Sequence, residues 1–294
     1  MYYFLENDEL IVKIDSFGAE LKSVLSKDSY REYMWYGDGK YWNRTSPVLF
    51  PFVGSLKDKQ YIHNGKVYPM GQHGFARDME FALLSQSEGE IWFAICSDEE
   101  TLEKYPFPFE LQVGYKLAGR RVSVKWRVKN TGEERMYFSI GAHPAFLCPA
   151  HGEETKTGYK LYFEGADEIH HSGNSRENGL ALDEDIVLPL KHGMAEITDG
   201  FFDRCTYIVE NRQTGKIGIA DPCGNMIVDM TFDMPLFAIW SPEEKNAPFI
   251  CLEPWCGRCD RTSFEGELRE REYTQVLESE EQFENSYEIY YHKL

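Results

Sequence analysis

No apolar run in the chain reaches the roughly 18 residues that a membrane-crossing helix takes. The opening segment MYYFLENDEL has neither the basic start nor the apolar stretch of a secretory signal, so a soluble, cytoplasmic protein is expected. Basic residues are in deficit: 31 Lys and Arg stand against 49 Asp and Glu, for a formal net charge of -18. A field of that sign repels phosphate backbones and anionic membrane surfaces, which argues against nucleic acid and membrane as partners. There is no internal repeat, no low-complexity tract and no Pro/Gly/Ser linker long enough to divide the chain. Also missing are a GxGxxG or P-loop pattern, and with it any phosphate-cradling loop, and HxxxH or HxH spacings of the kind that hold zinc. The seven cysteines (Cys96, Cys148, Cys205, Cys223, Cys251, Cys256 and Cys259) are odd in number and scattered. That is unlike the dense framework of a small secreted domain, and reduced thiols are expected.

What the 294 residues do contain is alternation. Helical periodicity is hard to find, whereas Leu10, Val12 and Ile14 share one face of a period-2 stretch, as do Leu111, Val113, Tyr115 and Leu117. After a turn at Ala118-Gly119, Val122, Val124, Trp126 and Val128 alternate with Ser123, Lys125, Arg127 and Lys129, which reads as a hairpin with one buried face. A second hairpin joins Ile217-Gly218-Ile219 to Met226-Ile227-Val228 through Asp221-Pro222-Cys223-Gly224-Asn225. With 42% apolar residues a sizeable core can be buried, and the expectation is one all-β domain over 1–294, a sandwich of short antiparallel strands. The acidic, Gly-containing stretches His151–Glu154 and Asn174–Gly179 read as excursions between strands, of the kind that rim binding sites. Asp98–Glu103 reads as a short surface helix without a role.

Three segments set polar side chains among apolar and glycine neighbours: Gly71-Gln72-His73-Gly74-Phe75-Ala76-Arg77-Asp78, Ser139-Ile140-Gly141-Ala142-His143-Pro144-Ala145-Phe146, and Phe249-Ile250-Cys251-Leu252-Glu253-Pro254-Trp255. Ionisable groups in such surroundings are costly unless paired or used. Taken singly, His73 and His143 also suit core histidines satisfied by backbone groups, and Glu253 also suits an ion pair with Arg258 or Arg261. Cys256-Gly257-Arg258-Cys259 is a lone CxxC without the context of a redox or zinc motif. No local signature marks a cysteine nucleophile.

In this order and spacing the three segments resemble the aldose 1-epimerase (mutarotase) superfamily, whose members share a large twisted β-sandwich. Phe17-Gly18-Ala19-Glu20-Leu21, the stretch from Arg44 to Gly54 and Phe202-Asp203-Arg204-Cys205 extend the likeness over nearly the whole chain. The pattern is most similar to the branch with glucose-6-phosphate 1-epimerase-like and LacX-like members, and Glu-Pro-Trp after the apolar run is nearest the latter. The resemblance implies Glu253 as general base and His143 as general acid. It further implies His73, Arg44, Gln72, Arg77 and Asp203 as groups that hold substrate hydroxyls or orient the catalytic pair. The residues around Glu253 and His73 differ from those of the galactose mutarotases, so galactose is not implied.

The chemistry suits those residue types. Interconverting anomers takes a base to remove the C1 hydroxyl proton and an acid to protonate the ring oxygen; after rotation about C1–C2 the same transfers run backwards. No metal or organic cofactor is needed. The expected substrate is a hexose or a hexose phosphate, with Arg44, Arg77, Arg258 and Arg261 as candidate phosphate contacts. Two other functions fit the same residues: a carbohydrate-binding protein without the chemistry, and a glycoside hydrolase using Glu253 and Asp203. Trp255, Phe75 and Phe146 are aromatic residues that suit either a sugar face or the core.

Overall fold

The computed structural model describes residues 1–150 and 152–293; His151, at the start of one expected excursion, lies outside them. The described chain is nearly all β, in antiparallel sheets that form a large twisted β-sandwich. The larger sheet has nine strands, in the order Met194–Glu196, Lys160–Phe163, Lys216–Ala220, Met226–Phe232, Gln282–Tyr291, Arg121–Asn130, Phe109–Ala118, Glu90–Cys96 and Ala82–Gln86. At its centre is the hairpin expected from the alternating pattern. Ala118 pairs with Arg121 across a two-residue loop, and Gly119 opens that loop at φ +55°, a left-handed conformation that glycine adopts without a Cβ clash. The register sends Leu111, Val113, Tyr115 and Leu117 to the same face as Val122, Val124, Trp126 and Val128, all buried. Each such side chain contributes roughly 1.5–3 kcal/mol by leaving water, while Ser123, Lys125 and Arg127 face outward. The second hairpin also forms, Ile217–Ile219 pairing with Val228–Met230, and a bulge lies beside Ala220. Asp98 caps the helix Glu99–Lys104 by accepting from Thr101 N.

The second main sheet runs Tyr207–Val209, Leu236–Trp240, Phe249–Cys256, Ile140–Ala142 and Val48–Leu49, with Ala145–Leu147 also paired to Phe249–Cys256. Every residue of Phe249–Cys256 is buried, because both faces of this central strand are covered and its sequence is a near-continuous apolar run. Its two faces nevertheless differ. Ile250, Leu252 and Cys256 pack into the main core, whereas Phe249, Cys251 and Trp255 belong to smaller clusters on the other side. Glu253 shares that second face by period-2 alternation. Among the described residues, no helix is long and apolar enough to cross a membrane.

Candidate active site

His143 and Glu253 meet through strand register. Gly141 is opposite Trp255 and Ala145 is opposite Cys251, so the intervening His143 lies across from Glu253. Pro144 and Pro254 supply no amide donor here, and ladder pairing lapses between the two short strands. The side chains of directly opposed residues start only about 5 Å apart, and His143 Nε2 comes to 3.2 Å from Glu253 Oε2. Glu253 is 1% exposed and His143 8%. Gly141 makes room beside them, since a Cβ there would lie 2.7 Å from the Trp255 indole.

His73 arrives from another direction. The Gly71–Asp78 segment lies along Phe50–Gly54: Phe75 N and Ala76 N both donate to Phe50 O, and His73 N donates to Gly54 O. In return Gly54 N donates to His73 Nδ1 at 3.0 Å. A backbone N–H can only donate, so Nδ1 carries the lone pair and the neutral ring presents Nε2–H. Burial, reinforced by His143 and Arg77, holds the His73 pKa well below the ordinary histidine value. The backbone-satisfied reading of His73 thus holds at one nitrogen, and the ring also lines the cavity.

That cavity has a volume of about 900 Å³ and is lined by Gln72, His73, Arg77, His143 and Glu253 among others. Trp42 lies over the His143 ring, with centroids 4.7 Å apart, and Trp240 meets it edge-on at 5.5 Å. Neither tryptophan stands out in the sequence, although Trp42 is two residues before Arg44 and Trp240 ends an apolar strand. Trp255 also lines the cavity, whereas Phe146 is fully buried in the core and Phe75 packs against it. The expected Asn174–Gly179 excursion forms a wall of the cavity, and Arg176 ties it to Glu244 at 2.9 Å.

Electrostatics set the protonation of the pair. Burial raises the Glu253 pKa well above the usual carboxylate value, and burial together with Arg77 lowers that of His143 to about 3. Both shifts favour the neutral forms, a protonated carboxyl beside a neutral imidazole, over the ion pair. A carboxylate beside an imidazolium holds the same number of protons and the same net charge, so moving one proton across 3.2 Å interconverts the two forms. Arg77 donates to Gln72 O at 2.8 Å, and its own pKa is lowered to about 10 by burial and by Arg44.

Two expected contacts fall elsewhere. Arg44 is outside the cavity lining; its guanidinium binds Asp78 at 2.7 Å and sits behind Arg77. Asp203 does not reach the cavity either. Its amide closes a turn onto Gly200 O, and Oδ1 accepts from Glu244 N at 2.8 Å, so it shapes the loop that carries Glu243 and Glu244 into the cavity wall. A short carboxylate after a glycine serves a turn as readily as a sugar. Asp203→Ala is accordingly expected to cost about 1 kcal/mol of stability, as thermal melts beside the wild type would show. The alternative partners of Glu253 are also occupied: Arg258 binds Glu210 and Glu272, and Arg261 binds Glu210 at 2.9 Å. Cys256 and Cys259 are buried, and burial raises their thiols to about 12 and about 11. Neither is poised for redox chemistry at neutral pH.

Comparison with known proteins finds relatives along nearly the whole chain. The family model described as aldose 1-epimerase covers residues 1–290. The plasmid form of Protein LacX from Lactococcus lactis subsp. lactis is 33% identical over 270 residues, which is 86% of this chain and 87% of that protein. A galactose mutarotase related enzyme from Lactobacillus acidophilus superimposes with a TM-score of 0.93 at 31% identity, covering 100% of this chain and 98% of that one. A galactose mutarotase-like protein from Lactobacillus casei gives 0.91 at 30% identity, covering 99% and 100%. Matched by the family's model almost from end to end, and by relatives above 30% identity over most of both lengths, this chain belongs to the aldose 1-epimerase family of sugar isomerases.

Proposed function

We propose that the protein interconverts the α and β anomers of a neutral hexose by acid–base ring opening and closure, with Glu253 and His143 as the proton-transferring pair. The observation that carries this reading is the 3.2 Å approach of the two groups at the wall of a cavity that also holds His73 and Arg77. In the carboxylate–imidazolium form, Glu253 takes the proton from the C1 hydroxyl and His143 protonates the ring oxygen. After rotation about C1–C2, closure returns both protons, so a pair holding one proton serves both directions. His73 Nε2–H and the Arg77 guanidinium are donors suited to sugar oxygens, and Trp42 and Trp240 offer faces for ring C–H groups.

Three observations favour a free sugar over a phosphorylated one. Arg258 and Arg261 are engaged with Glu210 and Glu272 outside the cavity. Arg44 is engaged with Asp78. The lining cations Lys59, Arg77 and Arg176 are accompanied by Glu177, Glu243 and Glu244, which leaves no surplus positive charge for a phosphate. Hydrolysis by two carboxylates is disfavoured because Asp203 is not in the cavity lining.

The test follows the relaxation of freshly dissolved α-D-glucose, α-D-galactose and their 6-phosphates by polarimetry or one-dimensional NMR. Acceleration of a free hexose, absent with Glu253→Gln, is the expected result; acceleration of the phosphates alone would reverse the substrate preference, and none at all would reject the reading. The same assay gives a pH profile. Acidification through the His143 value of about 3 adds a second proton and removes the base, while alkaline pH above the raised Glu253 value removes the last proton and with it the acid. The expected profile is flat across neutral pH and falls at both extremes. A break near pH 6.5, the ordinary histidine value, would show that His143 titrates independently of its partner.

A further inference from the structure

The geometry points to a second use of the acid–base pair: His143 and Glu253 at the cavity wall, together with the fully buried Cys251 beside them, form a binding site for a soft divalent metal ion such as zinc, and metal binding and epimerisation exclude each other. This inference goes beyond the proposed function and stands on a different side chain. Cys251 precedes Glu253 by two residues on one buried strand, so alternation sends its Sγ to the same face, and Ala145 opposite it places His143 alongside. One ligand atom from each of the three residues lies within 4.8 Å of the other two, and all three residues are buried.

A tetrahedral zinc ion, with nitrogen and oxygen at about 2.0–2.1 Å and sulfur at about 2.3 Å, holds its ligand atoms about 3.3–3.6 Å apart. The Nε2–Oε2 distance of 3.2 Å already fits, and a shift of about 1 Å brings in the sulfur. Glu253 Oε2 is buried and, although His143 Nε2 lies 3.2 Å away, makes no aligned hydrogen bond among the described residues, so it is free to ligate once the carboxyl releases its proton. His73 is excluded as a ligand through Nδ1, which Gly54 N occupies. Three protein ligands beside an open cavity leave the fourth position to solvent or a sugar hydroxyl. Arg77 opposes a cation here; on binding, the Glu253 carboxyl and the Cys251 thiol each release a proton to solvent, and the two anionic ligands so formed offset that opposition. A metal held by Nε2 and Oε2 occupies the two atoms that exchange the proton, so the loaded protein has neither its acid nor its base.

The test uses the full chain with the exposed thiols removed, Cys96→Ser and Cys223→Ser, so that only buried cysteines remain. Cobalt(II) titration is expected to give a thiolate-to-metal absorption band that Cys251→Ala abolishes and Glu253→Gln weakens. In the anomerisation assay, zinc is expected to inhibit and a chelator to restore the rate. Cys251→Ala should keep the basal rate while the zinc concentration for half-inhibition rises about 10–100-fold, the range that loss of a supporting group costs a metal site. Equal inhibition of both proteins, or cobalt binding without a thiolate band, would overturn the proposal. If the wild type does not catalyse anomerisation, the proposed function fails, and the cobalt band still decides the metal site. If Cys251→Ala fails to fold, His143→Asn answers through the same band.

Discussion

Glu253→Gln is expected to lower catalysed anomer interconversion by about 10²–10⁴-fold, the usual contribution of a positioned acid or base, without unfolding the protein. Glutamine keeps the length and planarity of the side chain. It also replaces a carboxyl whose protonated, neutral form burial already favours, so the cost to folding is small. What it removes is an exchangeable proton within reach of His143. His143→Asn is expected to produce a loss of the same order, because asparagine also keeps a polar group against Trp42 and Trp240 but cannot relay a proton. The double variant should be no slower than about the worse of the two singles, since residues that act as a unit show grossly non-additive effects. Polarimetric rates for the three variants, beside circular dichroism spectra that overlay the wild type, are the measurement. Rates that multiplied across the double variant would mean that the two groups act independently.

A second large effect is expected in stability. Gly74→Ala should destabilise the fold by about 4 kcal/mol or more, at the upper end of single substitutions, and lower the melting temperature by about 10 °C. Gly74 has φ +69°, and a Cβ there would lie 2.2 Å from Phe50 O and 2.6 Å from Pro51 N. Those obstacles are backbone atoms, and Phe50 O already accepts from both Phe75 N and Ala76 N. Relief requires parting the two segments, which breaks those bonds and shifts His73 and Arg77 as well. Three residues earlier, a Cβ on Gly71 would meet nothing within 4 Å, and the backbone there has no positive φ, so Gly71→Ala should melt with the wild type. Thermal melts of the pair separate close backbone approach from any general intolerance of the segment; coincident melts would refute the packing argument.

Much of this architecture is legible in the residues themselves, and the exceptions have physical causes. The Leu111–Leu117 and Val122–Val128 alternation forms the expected hairpin because period 2 admits one face to the core at a time. Glu253 and His143 are visible because a carboxylate and a histidine inside apolar strand text demand a reason. Their opposition is not visible, since it depends on register between segments more than a hundred residues apart. Trp42 and Trp240 look like any core aromatic until tertiary packing sets them against His143. Asp203 shows the converse: the sequence neighbourhood fits a sugar contact, and in the structure the carboxylate accepts from Glu244 N. Arg258 and Arg261 likewise find acidic partners distant in sequence, in Glu210 and Glu272.

The alternation along Phe249–Cys256 also bears on how the protein can change over time. Inserting one residue between Phe249 and Leu252 would turn the Glu253 carboxyl into the main core and present Leu252 to the cavity, so the strand cannot lengthen there without losing the proposed acid–base pair. The turn at 176–178 in the cavity wall is under no such register constraint, because it lies outside any strand between the bridge at Asn174 and the close packing of Gly179 on Ser55. Under the proposed function, the reacting pair and this stretch of the cavity wall therefore lie in parts of the chain with opposite tolerance to insertion.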